Sequence, residues 1–315
     1  VYFLIILIAA FQHRVPAEGW KPEGYEPPSE KESTAKMKTL NNVHINQALK
    51  TPQFYQLWIV LCFNVSAGIG VIGVAKTMMS EIFGSAPSGT DLANLVTAGF
   101  AGTYVLMISV FNMCGRIIWA SLSDYIGRKN TYHCFFVIGT LLYLSIPFTA
   151  NAVSVNPSIM YLVMFYAATM IIFTMYGGGF ATIPAYLADI FGTKYVGGIH
   201  GRLLTAWSTA GVLGPVAITQ LRQSSMENAI NDLVQKISPE KFNEIYGDSI
   251  DNLSLLVKQK SVTISNLMPH MPEGTINPST TLYNTTMFAM AGLLAIAFIC
   301  NLLISPVDKK HHMKE

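Results

Sequence analysis

The sequence has little charge. Asp, Glu, Lys and Arg together make up 12% of its 315 residues, about half the share of about 25% that is usual in soluble domains. Hydrophobic residues make up 51%, and the mean hydropathy is +0.40. The formal net charge of +2 is too small to indicate binding to nucleic acid through phosphate contacts. The composition argues against a soluble enzyme and a disordered tail, and it predicts a bundle of membrane helices.

The sequence also has few of the patterns that build catalytic or metal sites. Its four cysteines lie inside apolar runs, form no Cys-x-x-Cys pair and have no histidine at metal-ligand spacing. We interpret them as small packing residues. No apolar segment carries paired carboxylates, a histidine cluster or a nucleophile beside a base. We therefore expect neither an enzyme nor a bound metal or other cofactor.

Long apolar segments make up most of the chain. Six of them are long enough to span a bilayer core, which takes about 20 residues of helix. The backbone must bond to itself in lipid, so these segments are predicted to be helical. They are Tyr55–Ser80, Leu95–Leu122, Tyr132–Ala150, Ile159–Ala188, Ile199–Leu221 and Thr285–Ser305.

The first eleven residues, Val1–Phe11, are apolar but too few to span a bilayer. They have no basic stretch before them, as a secretory signal would. We expect residues 1–12 to be the end of a membrane helix that begins outside this sequence. A complete chain with a short interfacial helix is the alternative.

Basic residues occur in alternate short loops; the long loop 222–284 also carries several Lys residues, but long loops follow the positive-inside rule poorly. The segments that contain Lys or Arg include 13–50, 123–131, 189–198 and 307–315, whereas the short loops 81–94 and 151–158 contain none. The positive-inside rule places the first group in the cytoplasm. This predicts a multi-pass protein of the inner or plasma membrane, with a cytoplasmic linker at 13–50, a cytoplasmic tail at 307–315 and a long external loop at 222–284.

The most specific motif follows the second full span. Its residues are Asp124, Gly127, Arg128 and Lys129, in the order Asp-x-x-Gly-Arg-Lys. A negative charge at Asp124 is favoured near a helix N-terminus, and Gly127 permits a tight turn between antiparallel helices. The two basic residues can pair with acidic groups. We predict a polar latch between neighbouring helices on the cytoplasmic side.

This motif resembles the signature loop of the major facilitator superfamily, Gly-x-x-x-Asp-(Arg/Lys)-x-Gly-(Arg/Lys)-(Arg/Lys). Ala120 replaces the first Gly and Tyr125 replaces a base. The resemblance implies an all-α membrane fold of two six-helix halves with the substrate near the midplane. Residues 51–306 would form the C-terminal half, with an N-terminal six-helix half outside this chain as its partner. Asp189 is a further latch candidate, facing Arg128 or Lys194.

A closer similarity, to the oxalate/formate antiporter family, covers almost the whole length. It rests on Pro16–Pro22, Thr51–Trp58, Asn64–Gly70, Tyr176–Gly192 and His200–Trp207. The similarity implies exchange of small carboxylates, held by one intramembrane Arg and one intramembrane Lys. Arg116 fits the Arg position, eight residues before Asp124. The Lys position falls at or next to Trp207 and Ser208, so this sequence lacks the second cation there.

Arg116 is the leading candidate for substrate binding. An Arg inside a span costs roughly 2.5–3.5 kcal/mol on insertion scales, so it should face a cavity or a partner. Its planar fork suits a carboxylate, although snorkelling towards the cytoplasmic end would also explain it. A single cation favours a monocarboxylate, a proton-coupled substrate or an uncharged one. The other candidates, which can equally serve in bonds between helices, are Asn64, Tyr104, Asn112, Tyr176 and Trp207.

Together these features predict a secondary transporter that carries small organic anions, carboxylates in particular, across the lipid bilayer by alternating access. A non-transporting membrane receptor or sensor of small carboxylates is the alternative.

Overall fold

The computed structural model of the chain describes residues 2–14, 17, 20, 23, 38–39, 41–85 and 90–313. The described part is a bundle of α-helices, as the composition predicts. Its α-helices are α1 (Tyr2–Gln12), α2 (Ile45–Ala48), α3 (Pro52–Phe83), α4 (Asp91–Leu95), α5 (Ala98–Ile126), α6 (Arg128–Val155), α7 (Ile159–Phe191), α8 (Val196–Leu203), α9 (Thr205–Val234), α10 (Pro239–Tyr246), α11 (Leu253–Lys258), α12 (Ile264–Leu267) and α13 (Asn284–Leu303).

The ends of the long helices follow from local sequence. Pro52 occupies the first turn of α3, where its missing N–H is not needed. Thr97 caps α5 by accepting a hydrogen bond from the N–H of Phe100. Gly127, at φ +85°, joins α5 to α6, and Gly192, at φ +81°, ends α7. Both glycines adopt a backbone conformation that other residues rarely take.

Among the described residues, five helical segments are long and apolar enough to cross a membrane. They contain α3, α5, α6, α7 and α13, which correspond to five of the six predicted spans. The all-α membrane fold is therefore confirmed.

The predicted span Ile199–Leu221 is not one continuous helix in the structure. The structure divides this stretch at Leu204, between α8 and α9. Many Thr, Ser and Gly residues, with Pro215, leave α9 below the apolarity of the other long helices. α9 then continues to Val234, so the first part of the predicted external loop is a helical extension. Apolar length, the criterion for the predicted spans, does not reveal a break within a segment.

α3 lies at the centre of the bundle and contacts α5, α9 and α13. In an apolar 18-residue stretch of α3, 61% of the residues are buried, against 11% for the corresponding stretch of α5. α5 packs mainly on α7. Its opposite face exposes Met113, Ile117 and Ile118, so one side of the bundle is open.

The two ends of the bundle differ in construction. At the end predicted to be cytoplasmic, residues 41–49 of the predicted linker pack against the bundle. The N–H of Val43 donates to Phe191 O at 2.9 Å, and the N–H of Met313 donates to Asn42 O at 2.9 Å. At the other end, residues 235–283 fold into a cap that contains α10, α11 and α12. Phe242 and Leu267 are fully buried in it.

Candidate functional site

α5 and α7 cross at a contact made of glycines. A Cβ atom built at Gly115 would overlap the carbonyl oxygen of Thr174, and one at Gly177 would overlap the carbonyl oxygen of Asn112. A Cβ at Gly178 would come within 2.5 Å of the Trp119 side chain. Small residues let the backbones of membrane helices approach closely. The crossing therefore fixes the positions of Asn112 and of the neighbouring turn of α5.

Arg116 lies on α5 one turn beyond Asn112. Its Nε donates to Asn112 Oδ1 at 3.3 Å, and its Cζ lies 5.1 Å from the centroid of the Phe180 ring. A guanidinium over an aromatic face at this distance makes a cation–π contact. The side chain is exposed, and within the described residues it has no carboxylate partner. Its Nη donors remain available to a planar anion.

Aromatic side chains extend the site from Arg116 towards α9. The rings of Phe180 and Trp207 lie 4.6 Å apart, and those of Trp207 and Tyr176 lie 6.2 Å apart. Tyr176 in turn covers Gly68 of α3, where a Cβ atom would overlap its ring. We call Arg116, Asn112, Phe180, Trp207 and Tyr176 the arginine–aromatic cluster.

The structure thus brings together four of the predicted substrate residues, namely Arg116, Asn112, Tyr176 and Trp207. Phe180 completes the cluster although sequence reasoning did not single it out. A signal was present, because Phe180 lies four residues after Tyr176 and so shares a helix face with it. Trp207, at or next to the expected lysine position, contributes an aromatic ring to the cluster, and Arg116 is the cation of this cluster.

Asn64 lies inside the bundle and lines a small cavity together with Tyr176 of the cluster. It is buried, and its Nδ2 has no hydrogen-bond partner among the described residues. The nitrogen lies 2.5 Å from where a Cβ of Gly179 would be. A cavity of about 10 Å³ between Asn64, Tyr143 and Tyr176 adjoins it, which is about the space of one water molecule.

Tyr104 is separate from the cluster. It is fully buried between α5 and α7, and its ring lies 5.3 Å from that of Tyr166. It is three turns of α5 away from Arg116. In this arrangement Tyr104 packs helices together and does not adjoin the arginine–aromatic cluster.

The latch residues meet around Arg128. Arg128 Nη2 pairs with Asp124 Oδ1 within the turn, and Arg128 Nε lies 3.8 Å from Asp189 Oδ2 on α7. Its Nη1 donates to Ser123 O at 3.0 Å. The arginine side chain is 11% exposed and that of Asp189 is 13% exposed, whereas that of Asp124 is 63% exposed. Of the two partners expected for Asp189, the structure thus places Arg128 beside it.

Lys129 points elsewhere. Its Nζ donates to the carbonyl oxygens of Leu302 at 3.0 Å and Ile304 at 2.6 Å. These carbonyls end α13, where a cation is favoured by the helix dipole. Asn301 Nδ2 donates back to Lys129 O at 3.0 Å. The two basic residues of the motif therefore act on different helices: Arg128 holds α7 and Lys129 holds α13.

A second polar junction at the cap end was not found from the sequence. Arg222 pairs with both carboxylate oxygens of Glu81, and its Nε also donates to the hydroxyl of Tyr283 at 3.0 Å. The Tyr283 hydroxyl donates to Glu81 Oε2 at 2.8 Å. This junction joins α3, α9 and the start of α13. Charges at the ends of two apolar segments were its sequence signal, but their pairing across 141 residues was not visible.

Residues 1–215 match the family model described as Major Facilitator Superfamily. The Oxalate:formate antiporter of Oxalobacter formigenes is 31% identical over 215 residues, which are 67% of this chain and 43% of that protein. The Uncharacterized MFS-type transporter YhjX of Escherichia coli (strain K12) is 26% identical over 156 residues, 49% of this chain and 34% of that protein. The chain spans less than half the length of these curated relatives.

Proposed function

Because the chain belongs to the major facilitator superfamily, a family of multi-pass membrane transporters, we propose that it forms the C-terminal half of a secondary carrier of small monocarboxylates. The carrier would expose one midplane site alternately to each side of the bilayer. An N-terminal six-helix half would be its partner. A substrate that binds the inward-facing and outward-facing states with different affinity would shift the equilibrium between these two states.

The availability of Arg116 carries this proposal. Its Nε is held by Asn112 and its flat face by Phe180, which leaves the outer edge of the guanidinium for a carboxylate. Charge-assisted, bidentate bonds of this kind are the strong class of hydrogen bond. Fixing the side chain beforehand also lowers the entropy lost on binding.

The aromatic side of the cluster supports one carboxylate rather than two. A dicarboxylate held at both ends needs a second donor group opposite Arg116. Trp207, at or next to the expected lysine position, instead makes an edge contact with the Phe180 ring, with 4.6 Å between the ring centroids. An aromatic ring can contact the apolar part of a substrate but cannot neutralise a second negative charge. Formate and acetate fit this arrangement better than oxalate.

The open face of α5 supports the assignment of the missing half. Arg116 and the exposed apolar residues Met113 and Ile117 share this face of the bundle. A second helical half covering it would enclose the cluster between the two halves. Enclosure strengthens the attraction between the guanidinium and an anion because water is excluded.

The latch supports gating on the proposed cytoplasmic side. Arg128 connects the α5–α6 turn to Asp189 at the end of α7. α5 also carries Arg116, and α7 also carries Phe180. We expect a change at the latch to alter the opening of the site and to leave its substrate preference unchanged.

Counterflow in proteoliposomes tests the proposal on the full-length carrier that contains this chain. We expect saturable exchange of labelled formate or acetate and weak exchange of oxalate. Trp207→Lys should raise oxalate uptake relative to formate, because it restores a second cation, whereas Trp207→Phe serves as the matched control. Failure of every small carboxylate to move would refute the transporter. Binding without flux would favour the carboxylate sensor instead.

A further inference from the structure

The cap carries a modification motif that transport does not explain. Residues 252–254 read Asn-Leu-Ser. Asn-x-Ser/Thr, with x other than Pro, is the acceptor pattern for N-linked glycans on external surface loops. Asn252 ends a short 3₁₀ turn, Ile250–Asn252, and α11 begins at the next residue. The motif therefore lies at a turn of the cap and outside the spans.

The two chemically active side chains of the motif are at the surface. Asn252 and Ser254 are both exposed, whereas Leu253 between them is half-buried. Asn252 Nδ2 makes a surface hydrogen bond to Asp248 Oδ1 at 2.8 Å. Leu253 thus anchors the turn while the amide and the hydroxyl face outwards. A sugar attached at Asn252 Nδ2 would have to displace this hydrogen bond to Asp248.

The sequence contains two other Asn-x-Ser/Thr patterns, and neither is placed in this way. Asn64-Val-Ser66 is buried inside α3, one of the candidate spans. Asn284-Thr-Thr286 begins α13, with Asn284 Nδ2 bonded to Asn151 Oδ1 at 2.9 Å and Thr286 fully buried. The exposed position in the cap distinguishes Asn252 from both.

We propose that Asn252 is an acceptor site for an N-linked glycan on the external side of the membrane. The co-reactant is an oligosaccharide activated as a lipid diphosphate. The amide nitrogen of Asn252 bonds to the anomeric carbon of the sugar, the bond from that carbon to the phosphate oxygen breaks, and the amide loses a proton. The lipid diphosphate leaves. The proposal rests on the external placement of the cap and does not depend on which substrate the carrier moves.

Translation of the chain in the presence of endoplasmic-reticulum microsomes tests this site. Alkaline extraction first identifies the membrane-integrated product. We expect that product to show one increase in mass that an endoglycosidase removes. Asn252→Gln and Ser254→Ala should each abolish the increase. Ser254→Thr, which retains the motif, and Asn284→Gln, which removes another copy, should both keep it.

A second acceptor distinguishes the ways in which the proposal can fail. Gln259→Asn creates the pattern at an exposed end of α11, before Lys260 and Ser261, and is placed in the Asn252→Gln background. Glycan at position 259 with none on the unaltered chain overturns Asn252 as the acceptor but leaves the cap external. No glycan in either protein overturns the external placement and with it the site. Neither result bears on counterflow, so failure here is separate from failure of the transport proposal.

Discussion

Two arginines with nearly opposite surroundings show how a candidate binding residue differs from a structural one. Arg222 at the cap end has both oxygens of Glu81 and the hydroxyl of Tyr283 as acceptors. Arg116 in the middle of α5 has one amide oxygen, from Asn112, and the face of Phe180. The first guanidinium is satisfied by its own protein. The second retains donors for a ligand.

Burial agrees with this difference. The side chains of Arg222 and Glu81 are 24% and 23% exposed. Water therefore screens the attraction between their charges only partly. Arg116 is exposed on the open side of the bundle. A charge without a counter-ion in a membrane protein marks a substrate or ion pathway by default. The comparison therefore predicts that loss of Arg116 affects flux and that loss of Arg222 affects stability.

The largest expected effect is the loss of carboxylate flux in the Arg116→Gln variant. Removing one partner of an enclosed charge pair costs about 2 kcal/mol or more, roughly a thirtyfold loss in affinity. Carboxylate counterflow should fall at least that far, while the protein still inserts in the membrane. Arg116→Lys keeps the charge but loses the fork, and we expect an intermediate rate. Counterflow that survives in Arg116→Gln would remove the assigned role.

The second-largest expected effect is a loss of stability in the Arg222→Gln variant. This change leaves the carboxylate of Glu81 without its cation, at a cost of about 2 kcal/mol. We expect a lower melting temperature in detergent and nearly normal flux per folded molecule.

The control for Arg222 is the double variant Glu81→Gln with Arg222→Gln. Because neither residue is then left as an unpaired charge, the double variant should be more stable than the sum of the two single losses predicts. Strict additivity of the two losses would show that the pair contributes nothing as a pair.

A smaller effect is expected from Gly177→Ala, which tests whether the α5–α7 crossing positions Asn112. The added methyl group overlaps Asn112 O, and overpacking of this kind costs about 1–2 kcal/mol. The substrate KM should rise because Asn112 holds Arg116. Gly211→Ala is the matched control, since a Cβ there meets nothing within 4 Å. Equal effects of the two changes would contradict the positioning role.

The smallest expected effect is that of Asp124→Asn. Asp124 pairs with Arg128 but is 63% exposed, and exposed ion pairs contribute about 0–1 kcal/mol. Asp189→Asn at the same arginine should slow exchange more, because its side chain is 13% exposed. Rates of exchange measured for both variants, with the substrate KM, check this order. A larger effect at Asp124 would reverse our assignment of the latch.

Much of the fold could be predicted from the sequence, and the misses have physical causes. Five of six predicted spans occur as long apolar helices because a bilayer imposes their length and composition. The division of the remaining segment at Leu204 did not follow from composition. α9 is stabilised by packing on α3, and packing tolerates Thr, Ser and Gly where lipid contact alone would not.

The candidate site was predictable residue by residue but not as a cluster. Arg116 stood out because an arginine within a span is costly. Tyr104 and Asn64 had the same kind of sequence signal as Tyr176. The structure nevertheless buries Tyr104 against Tyr166 and places Asn64 beside Gly179. Helical faces and crossing points decide such placements, and one sequence specifies them only through long-range packing.

The sequence by itself determined that this is an all-α membrane protein of the major facilitator type, because hydrophobic length, the alternation of basic loops and a short polar motif are local properties. Only the tertiary structure decided which arginine is saturated and which is available. Arg116 lies inside an apolar segment and Arg222 just beyond the end of one, but neither position reveals which acceptors surround the guanidinium. The acceptors around each come from residues distant along the chain, such as Glu81 and Phe180, and only folding brings them into contact.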